Sequence, residues 1–287
     1  MMSPLVRRRR LAAELRQLRV EADLTNEELG KMVKWSRSKV SRIENAASPP
    51  NIADVMHVLK ALGVEGERWH QLVQIANDGA EKGWWTAFGE HMGARQRINA
   101  DLEWGAATIR EYCGAFVPGL LQTAEYARAR SAQTFLRGGV PANYDLDRAI
   151  EARLARQRMM RRPGGANYEV ILDELVLRRH GAPVDVMRDQ MEELIRLQAE
   201  DKQISIRILP IDAKVEDYWL PNSTFSLYTY HDPGDPVVVA VEGEADDKIE
   251  SDEQYVGSYN QLFERLRAAS LAPKESSALL QAAVDQL

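Results

Sequence analysis

The sequence predicts two parts, an all-α head of five short helices and a larger α+β body. Three observations point there. Apolar residues recur at helical spacing through about residue 77. Short β-branched or aromatic runs bounded by Pro, Gly and Asp follow from residue 168. Charge divides the same way: residues 1–45 hold eleven Lys and Arg against six Asp and Glu, a local +5, which leaves −11 on the remainder of a chain whose total is −6. A length of 287 residues is that of two domains. Hydrophobic residues at 45% and charged residues at 28% exclude a collagenous, wholly disordered or disulfide-scaffold chain.

Taken in order, Leu11, Leu15 and Leu18 mark one stripe of a first helix over Arg8–Glu21. Thr25 followed three residues later by Glu28 is a capping box, so a second helix runs from about Asn26 to Val33. Ser36 caps a third helix in which only Val40 and Ile43 are apolar. Pro49-Pro50 ends that segment, and Asn51 caps a fourth helix whose Ile52, Val55, Met56, Leu59 and Leu62 are expected to face a core before Gly63 stops it. A fifth helix, from about Gly66 to Asn77, carries Trp69, Leu72, Val73 and Ile75. Residues 79–99, with Trp84 and Trp85 as aromatic anchors, read as a linker or crossing segment. In the body, residues 100–112, 121–132, 144–161, 186–199, 252–269 and 274–284 read as helix, and 168–172, 204–209, 224–230 and 237–241 as strands. The expected limits are 1–78 for the head, 79–99 for the crossing segment and 100–287 for the body.

The second and third helices are joined by a three-residue turn, the arrangement of a helix-turn-helix domain. Gly30 supplies the small residue the second helix needs where the third crosses it, and Val40 and Ile43 point back. The segment TNEELGKMVKWSRSKVSRIEN resembles the Xre, or lambda-repressor-like, family of DNA-binding domains. Lys34 departs from that pattern, which usually has Gly at a left-handed turn position. Residues 81–285 resemble the long C-terminal domain of a group of actinobacterial Xre regulators, in EKGWW, ATIREYCGAFVPGLLQTAEYARA, EARLARQRMM, VILDELVLRR and LFERLRAASLAPKES. That resemblance implies an antitoxin-like transcriptional regulator, often paired with a small acidic protein partner.

Double-stranded DNA is thus the expected partner, read by a homodimer whose body responds to a protein partner or an effector. Ser36, Arg37, Ser38, Lys39, Ser41 and Arg42 occupy the exposed face of the third helix, where guanidinium and hydroxyl groups can meet base edges. Thr25 and Asn26 stand at the positive end of the second helix, placed for a phosphate. Arg7–Arg10 read either as a grip on the DNA backbone or minor groove or as a disordered basic tail. Glu44 is expected to orient an arginine of the first helix, Arg16 or Arg19.

Other chemistry finds little footing. Cys113 is the only cysteine, which excludes an intrachain disulfide and a thiolate zinc site, and it reads as a buried small hydrophobe. His57, His70, His91, His180 and His231 show no metal-ligand spacing, and no phosphate-cradling glycine loop or nucleophile elbow occurs. The expectation is therefore a non-enzyme with no metal and no cofactor. Its alternatives are an antitoxin that mainly neutralises a small protein partner, and an enzyme with a DNA-binding head. No apolar run of eighteen residues and no signal-peptide core is found, so a cytoplasmic location with no membrane span is expected.

Overall fold

The computed structural model describes residues 1–136, 144–243 and 246–287. They form two compact units, Met1–Thr86 with Tyr230–Pro236, and Ala87–Thr229 with Val237–Leu287.

The first unit contains α1 (Pro4–Glu21), α2 (Asn26–Val33), α3 (Arg37–Glu44), α4 (Ile52–Ala61) and α5 (Gly66–Ala80). Local sequence starts each of the first four helices. Ser3, Thr25, Ser36 and Asn51 each accept an amide proton from the residue three positions on, satisfying a donor the helix cannot. The helices close over Leu11, Leu15, Leu29, Val33, Val40, Val55, Val58, Leu59, Leu72 and Ile75. Met56 corrects the expectation for α4. It is 39% exposed, one position off the stripe that buries Val55, Val58 and Leu59.

Both readings of Arg7–Arg10 are also corrected for Arg7 and Arg10. The four arginines lie within α1. Arg7 is 3% exposed, its guanidinium 3.0 Å from Asp232, 3.3 Å from Asp235 and 3.7 Å from Asp78. Arg10 is 2.8 Å from Asp232 and 3.2 Å from Asp235. The two aspartates sit in Tyr230–Pro236, a turn in which the Gly234 amide donates to the Asp232 carboxylate at 2.9 Å. That amide, with the arginines, holds the Asp232 carboxyl below its usual range.

The second unit opens on α6 (Ala94–Glu103) and β1 (Ala106–Cys113), then α7 (Ala124–Leu136), α8 (Leu146–Met160), β2 (Asn167–Asp173), the short α9 (Leu175–Arg178), α10 (Val184–Glu200) and β3 (Ile204–Leu209). It continues through β4 (Phe225–Tyr230), β5 (Val238–Val241), β6 (Lys248–Glu250), α11 (Glu253–Ala269) and α12 (Pro273–Asp285). The stretch expected as a crossing segment holds the end of α5, a 3₁₀ stretch Trp84–His91 and the start of α6. The helix expected over 100–112 is corrected: α6 ends at Glu103 and β1 begins at Ala106, because Ile109, Tyr112 and Cys113 are buried in the middle of a sheet.

That sheet has the order β3-β2-β1-β4-β5-β6. β1, β2 and β3 run parallel, while β4, β5 and β6 alternate. The two sets meet at β1 and β4, which run antiparallel: Thr108 early in β1 shares a 2.6 Å hydrogen bond with Thr229 late in β4, and Tyr112 late in β1 stacks on Phe225 at the start of β4. One core packs Ile171, Phe225, Leu227 and Val239 with Val256, Leu262, Phe263 and Leu266 of α11. At the outer edge, β3 donates Ile206 N–H to Gln198 and Ile208 N–H to Ser276, and Ile208 accepts from Leu271 N–H. Helices α10 and α12 thus cover an edge that would otherwise be open to another strand. Leu280 and Val284 of α12 are buried.

Candidate nucleic-acid interface

The reading face is built by α2, the turn after it and α3. Its framework is steric first. A Cβ on Gly30 would stand 2.9 Å from the Trp35 carbonyl oxygen, so only glycine lets the turn cross α2 this closely. The same carbonyl layer is closed by Trp35 N–H donating to Gly30 O at 2.7 Å. Lys34 takes up the left-handed conformation, φ 58° and ψ 41°, at the position where the related pattern has Gly. A charge brace holds α3 to α1. Arg19 donates to both oxygens of Glu44, at 2.8 and 2.9 Å, and both side chains are buried. Those hydrogen bonds keep the Arg19 guanidinium above its usual value, and Arg19 also reaches the Leu24 carbonyl at 2.6 Å. The sequence offered Arg16 or Arg19 for Glu44; the partner is Arg19.

On this frame the eight expected contact residues differ in what they have free. Thr25 is exposed, but its hydroxyl already accepts from Glu28 N–H at 3.2 Å and donates to the Glu28 carboxylate at 2.7 Å. Asn26 is half-buried and donates to Glu44 at 3.3 Å. Ser36, exposed, caps α3 by accepting from Lys39 N–H at 3.2 Å. Lys39 is half-buried, 2.8 Å from Asp54 and 3.8 Å over the Trp35 ring. Ser41 takes two hydrogen bonds from the Asn45 amide, at its carbonyl and its hydroxyl. Arg37, Ser38 and Arg42 remain: all three are exposed, and among the described residues their side chains make no hydrogen bond or ion pair.

Charge on this face is therefore concentrated in Arg37 and Arg42, at opposite ends of α3. A notch of about 190 Å3 beside Arg42 is lined by Lys39, Ser48, Asn51 and also Arg8. Arg8 thus stands beside α3, whereas Arg7 and Arg10 pair with Asp232 and Asp235.

Comparison with known proteins adds two matches. Residues 10–72 match the model of a helix-turn-helix domain, and residues 96–282 match that of a domain of unknown function, DUF5753. No curated protein and no solved structure matches the chain. Among the described residues no helix is long and apolar enough to cross a membrane. With the helix-turn-helix fold and its exposed arginines in place, the chain is a DNA-binding regulator at its head, and over the larger part of its length it belongs to the DUF5753 family.

Proposed function

We propose that the protein is a sequence-specific, Xre-type transcriptional regulator that binds double-stranded DNA as a homodimer and takes its signal, from a protein partner or an effector, through the second unit. One observation carries the reading: Arg37, Ser38 and Arg42 are exposed and uncommitted on a helix that Gly30, Trp35 and the Arg19–Glu44 brace hold rigid. A rigid helix with free donors suits the major groove, where a guanidinium can bridge guanine O6 and N7. Lys39, Ser36 and Thr25 serve as phosphate contacts through the helix ends they cap or flank. Two copies are needed because one short helix reads only a few base pairs. No catalytic role is assigned. Burial pushes the Cys113 thiol well above its usual value, which removes it as a nucleophile near neutrality.

The test is a gel shift on a duplex selected from random sequence by the full chain. Arg37→Ala should weaken binding by about 1 to 3 kcal/mol and relax base preference at one position. Arg42→Ala should weaken all sequences more evenly. Wild-type affinity in both variants overturns the assignment of the recognition helix.

A second reading, an antitoxin-type protein that neutralises a small acidic partner, is favoured by exposed apolar groups in the connection after β3. Tyr218 is 90% exposed there, beside Trp219, Leu220 and Ile211. Co-purification with the product of the adjacent reading frame, lost in Tyr218→Ser with Leu220→Ser while DNA binding persists, distinguishes it.

A further inference from the structure

The second unit contains a cavity of about 840 Å3, within the size range of small-molecule sites. It opens beyond the carboxyl end of β1, reached through Cys113 and Gly114, and beside the start of β4 at Thr224 and Ser226. This is where the parallel half of the sheet gives way to the antiparallel half. In open sheets built on parallel strands, ligands collect outside the carboxyl ends of the strands where the strand order reverses. Here the order runs outward from β1 to β2 and β3 on one side and to β4 on the other.

Ionisable groups in its wall already have partners. Arg156 is buried and doubly bonded to the buried Glu103, Nε to Oε2 at 3.0 Å with a second contact from Nη2 to Oε1. Arg95 meets Asp247 at 2.7 Å and Glu242 at 3.7 Å. Asp173 accepts from Tyr112 Oη and Leu175 N–H. Glu111 accepts from Tyr168 Oη at 2.5 Å and from the Cys113 thiol. Arg153 is different. Its Nη1 donates to the neutral amide oxygen of Gln122, its buried Nε has no partner, and among the described residues no carboxylate pairs with it. Burial, and then the adjacent Arg156 charge, pulls Arg153 down to about 10, which leaves it a cation at neutral pH. A desolvated guanidinium with no carboxylate in contact is costly, and an oxyanion is the group its planar fork fits. Phe116, Leu120 and Leu175 supply an apolar wall for the rest of such a molecule.

We propose that this cavity binds a small organic oxyanion, a phosphate monoester or a carboxylate, with Arg153 pairing to the anionic group. For signalling the proposal deepens the effector reading above and rests on it. For binding it does not, and the experiment uses no DNA, so failure of one leaves the other standing.

The full chain is titrated with inorganic phosphate and, separately, with citrate, against sodium chloride at matched ionic strength. Thermal unfolding and hydrogen exchange are followed. The expected result is a saturable rise in melting temperature with at least one probe, and slowed exchange confined to peptides covering Cys113–Gln122 and Ala149–Gln157. A response to phosphate alone assigns a phosphate ester, and a response to citrate alone assigns a carboxylate. Arg153→Gln should weaken the response at least about tenfold and Arg153→Lys less, since lysine keeps the charge but not the fork. If Arg153→Gln does not fold, the exchange map of the wild-type protein decides. No saturable response beyond chloride, protection elsewhere in the chain, or an undiminished response in folded Arg153→Gln overturns the proposal.

Discussion

At Gly30 a single hydrogen atom decides whether the turn between α2 and α3 can close. Gly30→Ala puts a methyl 2.9 Å from the backbone oxygen of Trp35, an atom that cannot swing away as a side-chain end could. The variant should lose on the order of 2 to 4 kcal/mol, read as a fall in the urea midpoint of the head. Lys34 gives the opposite sign. Its φ of 58° costs a β-carbon-bearing residue about 1 kcal/mol, so Lys34→Gly should stabilise the same unit by about that amount without altering which DNA it selects. Both substitutions leave Arg37 and Arg42 untouched, which separates fold from reading in one gel shift.

Among the elements, β1 shows what spacing can and cannot reveal. Helix starts in the head were legible because Thr25, Ser36 and Asn51 act on amides three residues away, well inside a sequence window. β1 was not. Arg110 and Glu111 give its centre the polarity of a surface helix, but both are satisfied by partners far off in sequence: Arg110 by Glu264 at 2.9 Å on α11, and Glu111 by Tyr168 on β2. For the same reason Arg19–Glu44 could be anticipated within one small domain, whereas Arg7 with Asp232 could not. The strand also carries a pH response. Burial lifts the Glu111 carboxyl to about 7, with Glu103, Glu242, Cys113 and Tyr168 facing it. Raised above its unfolded value, it stabilises the fold fully below pH about 4.5, and that contribution is lost as pH rises through 7. Glu111→Gln should therefore flatten the change in stability between pH 5 and 8 by about 1 to 3 kcal/mol, measured by chemical denaturation at each pH. An unchanged pH profile in the variant would assign the response to another group.

For the molecule as a whole, an acidic chain must present a basic face to DNA. Binding should weaken with salt at a slope of about −0.9 in log K against log salt for each phosphate neutralised. Arg42→Ala should reduce that slope by about 1. Arg7→Met should leave it unchanged, since Asp78, Asp232 and Asp235 already meet that charge. The same three carboxylates set where the chain can be cut. Residues 1–86 alone retain Asp78 but lose the Tyr230–Pro236 turn, leaving Arg7 with one carboxylate, at 3.7 Å. That fragment should be less stable than the head in the full chain by about 3 kcal/mol, and Arg7→Met should recover much of the loss in a thermal melt. The turn thus bears on ancestry. A head closed by seven residues encoded far downstream loses that closure when a single crossover near residue 86 joins it to another body. A chimera that keeps the head's full stability should carry Asp232 and Asp235 with it, or have Arg7 replaced by an uncharged side chain.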